Sequence, residues 1–108
     1  DQPIVVVLKG AGTIVAVDDG MALINTTGNP GMATGGMGDV LSGIIGALVC
    51  QGLEPLQATA MAVYLHGAAG DELLQQRGIG YSAGELADAL PSTIHTHIRQ
   101  RKSNEECF

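Results

Sequence analysis

A thirteen-residue segment, 26–38, contains five glycines and one proline and shows neither helical nor strand periodicity. Glycine adopts backbone conformations that other residues avoid, so a segment of this kind turns tightly or brings the backbone close to a ligand. Loops of this length inside a compact domain usually carry function. The segment therefore constrains the fold more than any other, because it separates two halves of different pattern.

The half before this loop is rich in β-branched residues. Residues 4–8 form a continuous apolar run, which is typical of a strand buried on both faces. Residues 13–17 and 21–25 are two further β-rich runs, and the Asp-Asp-Gly turn sequence between them predicts a hairpin. We therefore expect three strands, of which the first needs cover on both sides.

The half after the loop has apolar residues at helical spacing. Residues 40–51 predict a helix that is apolar nearly all round. Gly43 and Gly46 lie inside it and each costs roughly 1 kcal/mol relative to alanine, so close packing against neighbours is expected at both. Residues 55–76 predict a second helix, with Pro55 in its first turn.

A third helical region follows the second helix. Ser82 and Glu85 have the spacing of a capping box, in which each side chain binds the backbone amide of the other residue. The helix that they open is expected to end at Pro91, because proline cannot continue the backbone hydrogen bonding. A last helical piece to about Arg99 and a disordered polar tail at 101–108 complete the prediction.

Composition limits the class of function. Of the 108 residues, 45% are hydrophobic and 15% are charged, which is typical of one globular domain or part of one. The formal net charge of −6 argues against a nucleic-acid partner, since neutralising phosphates requires a basic face. No apolar run reaches the length of a membrane span. The two cysteines form neither a disulfide framework nor a metal pattern, so a cytoplasmic location is expected.

Strands, loop and helices in this order predict part of a layered α/β structure. The other two strands form a hairpin and cannot alone cover the first one, and the helix at 40–51 also needs partners on several sides. We therefore expect either the C-terminal part of a larger α/β fold or a chain that completes its core by association. A homo-oligomer is the expected state.

The end of the glycine segment, 35–38, directly precedes a helix. The first backbone amides of a helix have no internal partner and carry partial positive charge, so glycines ahead of them can curl the chain around an anion. Asp39 follows, and it could orient or deprotonate a hydroxyl that attacks a phosphoryl group held by those amides. A structural alternative stays open, in which the glycines form a tight turn and Asp39 caps the helix.

Other polar residues give weaker indications. Lys9, at the end of the first strand, could neutralise phosphate charge or be an ordinary strand-end cation. Thr13 and Thr34 could donate hydroxyls to phosphate or ribose. His66 lies among apolar residues of the second helix and is interpreted as a hydrogen-bonded core or surface histidine. The other histidines lie near the C-terminus without a third ligand, so no metal site is predicted.

Three motifs together resemble one known family. They are Lys-Gly-Ala-Gly-Thr at 9–13, Asn-Pro-Gly-Met-Ala-Thr-Gly-Gly-Met-Gly-Asp at 29–39 with Val-Leu-Ser-Gly-Ile-Ile after it, and Tyr-Leu-His-Gly-Ala-Ala-Gly-Asp at 64–71. They closely resemble the ADP-dependent NAD(P)H-hydrate dehydratases, bacterial and archaeal repair enzymes with a ribokinase-like fold. The likeness runs from about Val5 to Pro91. It is most specific at 29–39, whereas Gly-x-Gly-Asp alone is shared by many ribokinase-like kinases.

The resemblance implies an activity and a set of site residues. Enzymes of this family restore NADH or NADPH from its hydrated form, using ADP and releasing AMP and phosphate, so ADP is the implied cofactor. Mg²⁺ is expected with it, because phosphoryl transfer generally requires the ion. Asp39 matches the position that contacts the hydrated nicotinamide and acts as the base toward its C6 hydroxyl. The implied nucleotide-binding residues are Lys9, Gly10, Ala11, Gly12, Thr13, Asn29, Pro30, Gly31, Met32, Ala33, Thr34, Gly35, Gly36, Met37 and Gly38.

The family's domain is considerably longer than this chain. Residues 1–100 are therefore expected to form the C-terminal part of a ribokinase-like dehydratase domain, holding the nucleotide half of the site and inactive alone. The resemblance also implies an epimerase domain fused upstream in the parent chain. Two other functions stay open: a ribokinase-like kinase of a vitamin alcohol, which would use ATP, and a fragment that binds nucleotide or serves in assembly without turnover.

Overall fold

The computed structural model describes residues 4–10, 12–18 and 20–106. Three short strands precede three helices, and a single 3-10 turn, Pro30–Met32, lies in the loop between them. The elements are Val5–Leu8 (β1), Ile14–Val17 (β2), Ala22–Ile24 (β3), Met37–Cys50 (α1), Pro55–Arg77 (α2) and Ala83–Glu106 (α3). This order is the α/β arrangement that the sequence predicts.

The strands form an antiparallel sheet in the order β1–β2–β3, so the predicted hairpin of β2 and β3 is confirmed. The expectation for β1 is wrong in one respect, because this strand is covered on one face only. Val5 and Val7 pack against the core, whereas Val6 and Leu8 are exposed. The physical reason is that α2 covers one face of the sheet and none of the described elements covers the other.

The first helix begins at Met37, three residues earlier than its apolar pattern predicts. Gly36 starts it with a left-handed backbone, φ 90°, which a residue with a side chain rarely adopts. The close packing predicted at Gly43 and Gly46 is wrong for the described residues, since a Cβ on either glycine would meet nothing within 4 Å. Both lie on a face of α1 that is exposed in this chain.

The second helix runs through the middle of the molecule and contacts the sheet and both other helices. Pro55 occupies its first turn, as predicted. Two groups of buried side chains lie on either side of α2, one toward the sheet and α1, the other toward α3. The first contains Val15, Leu41, Ala62 and Val63, and the second contains Met37, Ala69, Leu73, Tyr81 and Leu86.

The start of the third helix confirms the capping box. The Ser82 N–H donates to Glu85 Oε1 at 3.1 Å, and the Glu85 N–H donates to Ser82 Oγ at 3.1 Å. These two bonds satisfy amides that the helix itself cannot use.

The predicted break at Pro91 is wrong, because α3 continues through it. A proline inside a helix costs about 3 kcal/mol. Leu86 and Thr93, one on each side of Pro91, are both fully buried, and Thr93 Oγ1 donates to Glu72 Oε2 of α2 at 2.7 Å. Packing on α2 therefore offsets the cost on both sides.

The helical backbone of α3 extends to Glu106. It thus includes most of the segment 101–108 for which the sequence predicts a disordered tail, while residues 107–108 lie outside the described residues. Long helices can carry a polar C-terminal extension once their first turns are packed, because adding one residue costs far less than starting a helix. None of the described helices is both long and apolar enough to cross a membrane.

Candidate functional site

The N-terminus of α1 offers unused hydrogen-bond donors. Gly36 caps the helix without a side-chain hydrogen bond, so no capping side chain among the described residues satisfies the amides of the first turn. The Val40 N–H donates to the Gly36 carbonyl at 3.1 Å and begins the regular helical pattern. Of the amides between them, the Met37 N–H donates to the Thr34 carbonyl at 3.5 Å, whereas those of Gly38 and Asp39 belong to the turn in which a helix has no internal acceptors.

Lys9 reaches this end of α1 from the end of β1. A Cβ placed on Gly38 would lie 3.1 Å from Lys9 Nζ, so the ammonium group lies against the first turn of the helix. A cation there opposes the positive end of the helix dipole and is unfavourable without a counterion. Lys9 and the α1 amides together concentrate positive charge at one point, which suits a phosphate group.

Asp39 lies in the same first turn and is exposed. One part of the structural alternative is wrong, because Gly36 and not Asp39 occupies the capping position. Asp39 therefore directly follows Gly38, whose backbone lies against the Lys9 ammonium. A proton acceptor beside an anion site is the arrangement that phosphoryl transfer to a hydroxyl requires.

A hydrogen-bond network anchors the glycine loop that leads into α1. Asp71 of α2 accepts from the Gly28 N–H at 3.0 Å and from Asn29 Nδ2 at 2.9 Å. Asn29 Oδ1 accepts from the Gly31 N–H at 3.0 Å and from the Tyr81 hydroxyl at 2.8 Å. The loop is thus tied to α2 and to the segment before α3.

Two glycines of α2 let the same loop approach the helix backbone. A Cβ on Gly67 would overlap the Thr27 side chain and lie 2.7 Å from the Thr27 carbonyl carbon. A Cβ on Gly70 would lie 2.6 Å from Met32 Sδ. The Thr27 hydroxyl donates to the Tyr64 carbonyl at 2.9 Å, so the contact is polar as well as close.

Some residues implied as nucleotide-binding have side chains that are already in use. The Met37 side chain is buried in the core, and the Asn29 amide belongs to the network around Asp71. The Thr13 hydroxyl donates to the Gly10 carbonyl at 3.2 Å and closes the turn after β1. These residues can offer backbone groups to a ligand, whereas their side chains hold the structure.

The other implied residues are distributed between this end of α1 and the loop. Lys9 and Gly38 are brought into contact. Pro30, Ala33, Thr34 and Gly35 are exposed in the loop. Ala11 lies outside the described residues. A nucleotide-binding role for the whole set stays a prediction.

The interpretation of His66 as a buried, hydrogen-bonded histidine is confirmed for one side of the ring, which forms a hydrogen bond with the Met37 backbone. Its side chain is 7% exposed, and Nε2 is buried with no hydrogen-bond partner among the described residues. Burial lowers the pKa of the imidazole. The hydrogen bond with the Met37 backbone raises the pKa, and the Lys9 ammonium lowers it further. His66 therefore lies at the inner side of the α1 N-terminus as a neutral ring.

Sequence reasoning did not find the roles of Asp71 and Tyr81. Both are far from the glycine loop along the chain. Asp71 ends the motif at 64–71, but no role follows for it from that motif alone, and Tyr81 lies outside the three motifs. The available signal is the pair Gly67 and Gly70, since glycines inside a helix can mark a place where another segment approaches closely, although Gly43 and Gly46 of α1 do not. In the described part of the chain, no group of three or more histidine, cysteine, aspartate or glutamate side chains could hold a metal ion.

Comparison with known proteins adds to this geometry. Residues 1–92 match the family model described as NAD(P)H-hydrate dehydratase. The bifunctional NAD(P)H-hydrate repair enzyme Nnr of Moorella thermoacetica is 59% identical over 91 residues, which are 83% of this chain and 17% of that protein. The ADP-dependent (S)-NAD(P)H-hydrate dehydratase of Neisseria meningitidis is 49% identical over 86 residues, 78% of this chain and 29% of that protein.

Solved structures show similarity to the same group of proteins. An ADP/ATP-dependent NAD(P)H-hydrate dehydratase from Bacillus subtilis, co-crystallised with ATP and Mg²⁺, matches with a TM-score of 0.78 and 41% identity, over 85% of this chain and 34% of that one. A ribokinase-like superfamily protein from Enterococcus faecalis matches with a TM-score of 0.74 and 39% identity, over 85% of this chain and 32% of that one. This chain has a ribokinase-like α/β fold and spans at most about a third of the length of these proteins. It belongs to the NAD(P)H-hydrate dehydratase family.

Proposed function

We propose that this chain supplies the ADP-binding part and the catalytic carboxylate of an ADP-dependent NAD(P)H-hydrate dehydratase. The observation that carries the proposal is the placement of Lys9 against the first turn of α1, with Asp39 in that same turn. Family membership supports the reaction, and the names of the relatives from Neisseria meningitidis and Bacillus subtilis support ADP as the nucleotide.

The residues present fit the phosphates of a nucleotide. The amides at the α1 N-terminus would donate hydrogen bonds to phosphate oxygens, and Lys9 would neutralise part of the phosphate charge. Asp39 would accept the proton of the C6 hydroxyl while that oxygen attacks the terminal phosphorus of ADP. The bond from phosphorus to the bridging oxygen breaks, and AMP leaves with its electron pair.

In the second stage phosphate leaves C6 with the electron pair of the carbon–oxygen bond. Water takes a proton from the neighbouring ring carbon, and the electron pair of that carbon–hydrogen bond forms the double bond of the dihydronicotinamide. The α1 amides stabilise the negative charge on the phosphoryl oxygens in both stages, as preorganised donors do in other phosphoryl-transfer sites.

Magnesium fits this part of the site less well. The described residues contain no cluster of three ligating side chains, so they do not form a protein cage for the ion. Mg²⁺ is often held mainly by substrate phosphates and water. The co-crystallisation of the Bacillus subtilis relative with ATP and Mg²⁺ supports the presence of the ion together with the nucleotide, and no step above depends on the ion.

The wider context is also a proposal. Several relatives, the Moorella thermoacetica protein among them, are named bifunctional repair enzymes, which supports a second domain in the parent protein. The free thiol of Cys50 is compatible with the reducing cytoplasm as the compartment.

Activity is best tested in a chimera in which this chain replaces the matching 91 residues of the Moorella thermoacetica relative. Dehydration of hydrated NADH is followed by the absorbance of NADH, with ADP and Mg²⁺ present. Asp39→Asn is expected to lower kcat about 100-fold or more, as losing a general base does. Asp88→Asn, an exposed carboxylate of α3, is the matched control and should leave kcat unchanged.

Three results would count against the proposal. A folded chimera that is inactive with both ADP and ATP would contradict the dehydratase, and phosphorylation of a vitamin alcohol with ATP would then support the kinase. Full activity of Asp39→Asn would remove the carboxylate from the chemistry. ADP binding without turnover in the chimera would favour a fragment that only binds nucleotide.

A further inference from the structure

We propose that Asp71 is a positioning residue whose carboxylate, acting through Asn29, holds the glycine loop in the conformation that presents the α1 N-terminus to a nucleotide phosphate. The nucleotide in this statement rests on the proposed function. The contacts that carry it are properties of the chain itself.

Both oxygens of Asp71 are used on consecutive residues of the loop. Oδ2 accepts from the Gly28 N–H at 3.0 Å, and Oδ1 accepts from Asn29 Nδ2 at 2.9 Å. Asp71 itself lies on α2 just after Gly67 and Gly70, where the loop and the helix backbone meet. The loop is therefore fixed to the most buried helix at the point where it begins its path to α1.

The orientation of the Asn29 amide has a single solution. Its Oδ1 faces two donors, the Gly31 N–H at 3.0 Å and the Tyr81 hydroxyl at 2.8 Å. Nδ2 must then face an acceptor, and the Asp71 carboxylate is that acceptor. A neutral amide at position 71 could not accept from both Gly28 and Asn29 in the same way.

Tyr81 remains a donor in this arrangement. Burial raises the pKa of its phenol; the hydrogen bond with Asn29 acts in the opposite direction, and the nearby Asp71 carboxylate raises the pKa further. The hydroxyl is therefore protonated at neutral pH and keeps donating to Asn29.

The network has no spare room. A Cβ on Gly31 would lie 2.9 Å from Asn29 Oδ1 and 3.0 Å from Tyr81 Cε1. The 3-10 turn Pro30–Met32 lies directly on it, and the capping residue Gly36 follows four residues after that turn. A rotation of Asn29 would therefore move the chain that enters α1.

The test begins with Asp71→Asn in this chain, a change that keeps the shape and replaces one acceptor by a donor. Either the new NH₂ group faces a donor of the loop, or Asn29 flips and loses its bonds with Gly31 and Tyr81. We expect amide hydrogen exchange at Gly28 and Gly31 to be about tenfold faster or more without ligand, which is the scale of one lost buried hydrogen bond. ADP affinity, measured by calorimetry with Mg²⁺, should fall by a similar factor.

The double variant Asn29→Asp with Asp71→Asn provides the rescue. The carboxylate then at position 29 can accept from Gly31, Tyr81 and the new amide at position 71, and the oxygen of that amide can still accept from Gly28. Amide exchange at Gly28 and Gly31 and the affinity for ADP should both return close to the wild-type values. The single variant Asn29→Asp should be impaired, because it places two carboxylates next to each other. If Asp71→Asn does not fold, folding of the double variant is itself the rescue.

The controls separate positioning from general stability. Asp88→Asn should change neither exchange nor affinity, and exchange at the buried Val15 amide should report global opening. The proposal is overturned if Asp71→Asn leaves Gly28 and Gly31 unchanged, if the double variant is as impaired as the single ones, or if the loop loosens while ADP affinity is retained. If the wild-type chain binds no ADP, the proposed function fails here, and the exchange data still decide whether Asp71 holds the loop.

Discussion

At the scale of single residues, glycines inside helices have two different meanings in this chain. Gly67 of α2 has the Thr27 backbone directly above it, whereas Gly43 of α1 has open space. The sequence pattern does not distinguish them, because both interrupt an otherwise helical run.

Gly67→Ala is expected to destabilise the chain by about 3 kcal/mol, since the added methyl group would overlap the backbone of the loop. The free energy of unfolding from urea titration measures this change. Gly43→Ala is the matched control and should raise that free energy by up to about 1 kcal/mol through helix propensity. Equal effects of the two substitutions would mean that the loop does not lie on α2.

His66 gives the stability a pH dependence with a definite sign. Burial lowers the pKa of its imidazole in the folded chain below the ordinary 6.5. The unfolded chain therefore takes up a proton first as the pH falls, so the contribution is fully present above pH 6.5 and is lost as the pH falls toward the folded pKa.

We therefore expect wild type to lose more free energy of unfolding than His66→Gln between about pH 7.5 and about pH 5.5. Urea titrations at both pH values give the change in free energy of unfolding for each protein. Subtracting one change from the other removes the contribution of the titratable groups that the two proteins share. His95→Gln, at an exposed position of α3, should follow wild type. A parallel pH dependence of wild type and His66→Gln would contradict the assignment.

At the scale of elements, local signals predict an element when all of its determinants lie within a few residues. The capping box of α3, the proline start of α2 and the hairpin of β2 and β3 are of this kind. The start of α1 and the passage of α3 through Pro91 are not. Met37, the first residue of α1, is buried against α2 and α3, and the turns of α3 around Pro91 are held by packing on α2.

At the N-terminus of α1, the Lys9 ammonium favours phosphate binding but destabilises the folded chain. Lys9→Met keeps the aliphatic chain and removes a cation from the positive end of a helix, so the folded chain should be equally or slightly more stable. ADP affinity should fall about tenfold, because one phosphate contact with an ammonium is lost. Calorimetry and urea titration measure the two effects.

Arg99→Met removes an equal charge from an exposed position of α3 and serves as the control for net charge. It should leave ADP affinity as in wild type. A loss of stability without a loss of affinity in Lys9→Met would show that Lys9 is an ordinary structural cation.

At the scale of the whole molecule, large apolar surfaces have no cover among the described residues. Val6, Leu8 and Ile24 are 46%, 58% and 70% exposed on the open face of the sheet. An apolar groove also lies between α1 and α3. Residues lining it include Val40, Ile44, Leu48, Leu65, Leu90 and Ile94. Because the chain spans at most about a third of the length of these relatives, these surfaces are where further polypeptide would pack.

We expect the isolated chain to self-associate through the open sheet face, as exposed apolar patches of this kind do. Sedimentation velocity over a range of concentrations measures the association. Val6→Thr with Leu8→Thr should shift the chain toward monomer while preserving strand propensity. Ile79→Thr, an isolated apolar residue that is 74% exposed outside the sheet, is the control. A wild-type chain that stays monomeric at all concentrations would contradict this expectation.

The sequence by itself determined the order of strands and helices, the caps that begin α2 and α3, and the family to which the motifs belong. These features depend on residues that are close together along the chain, where spacing and backbone chemistry act directly. The incomplete cover of the core was also readable, because the apolar runs demanded more neighbours than the chain provides.

Only the tertiary structure decided which polar groups meet. Asp71 is 42 residues from Asn29 along the chain, and Tyr81 is 52 residues from it, yet all three share one network. The contact of Lys9 with Gly38 and the unpartnered Nε2 of His66 likewise arise from the packing of separate elements. Such contacts have no signature in local periodicity, because their geometry exists only after α2 has brought the loop, the sheet and α1 together.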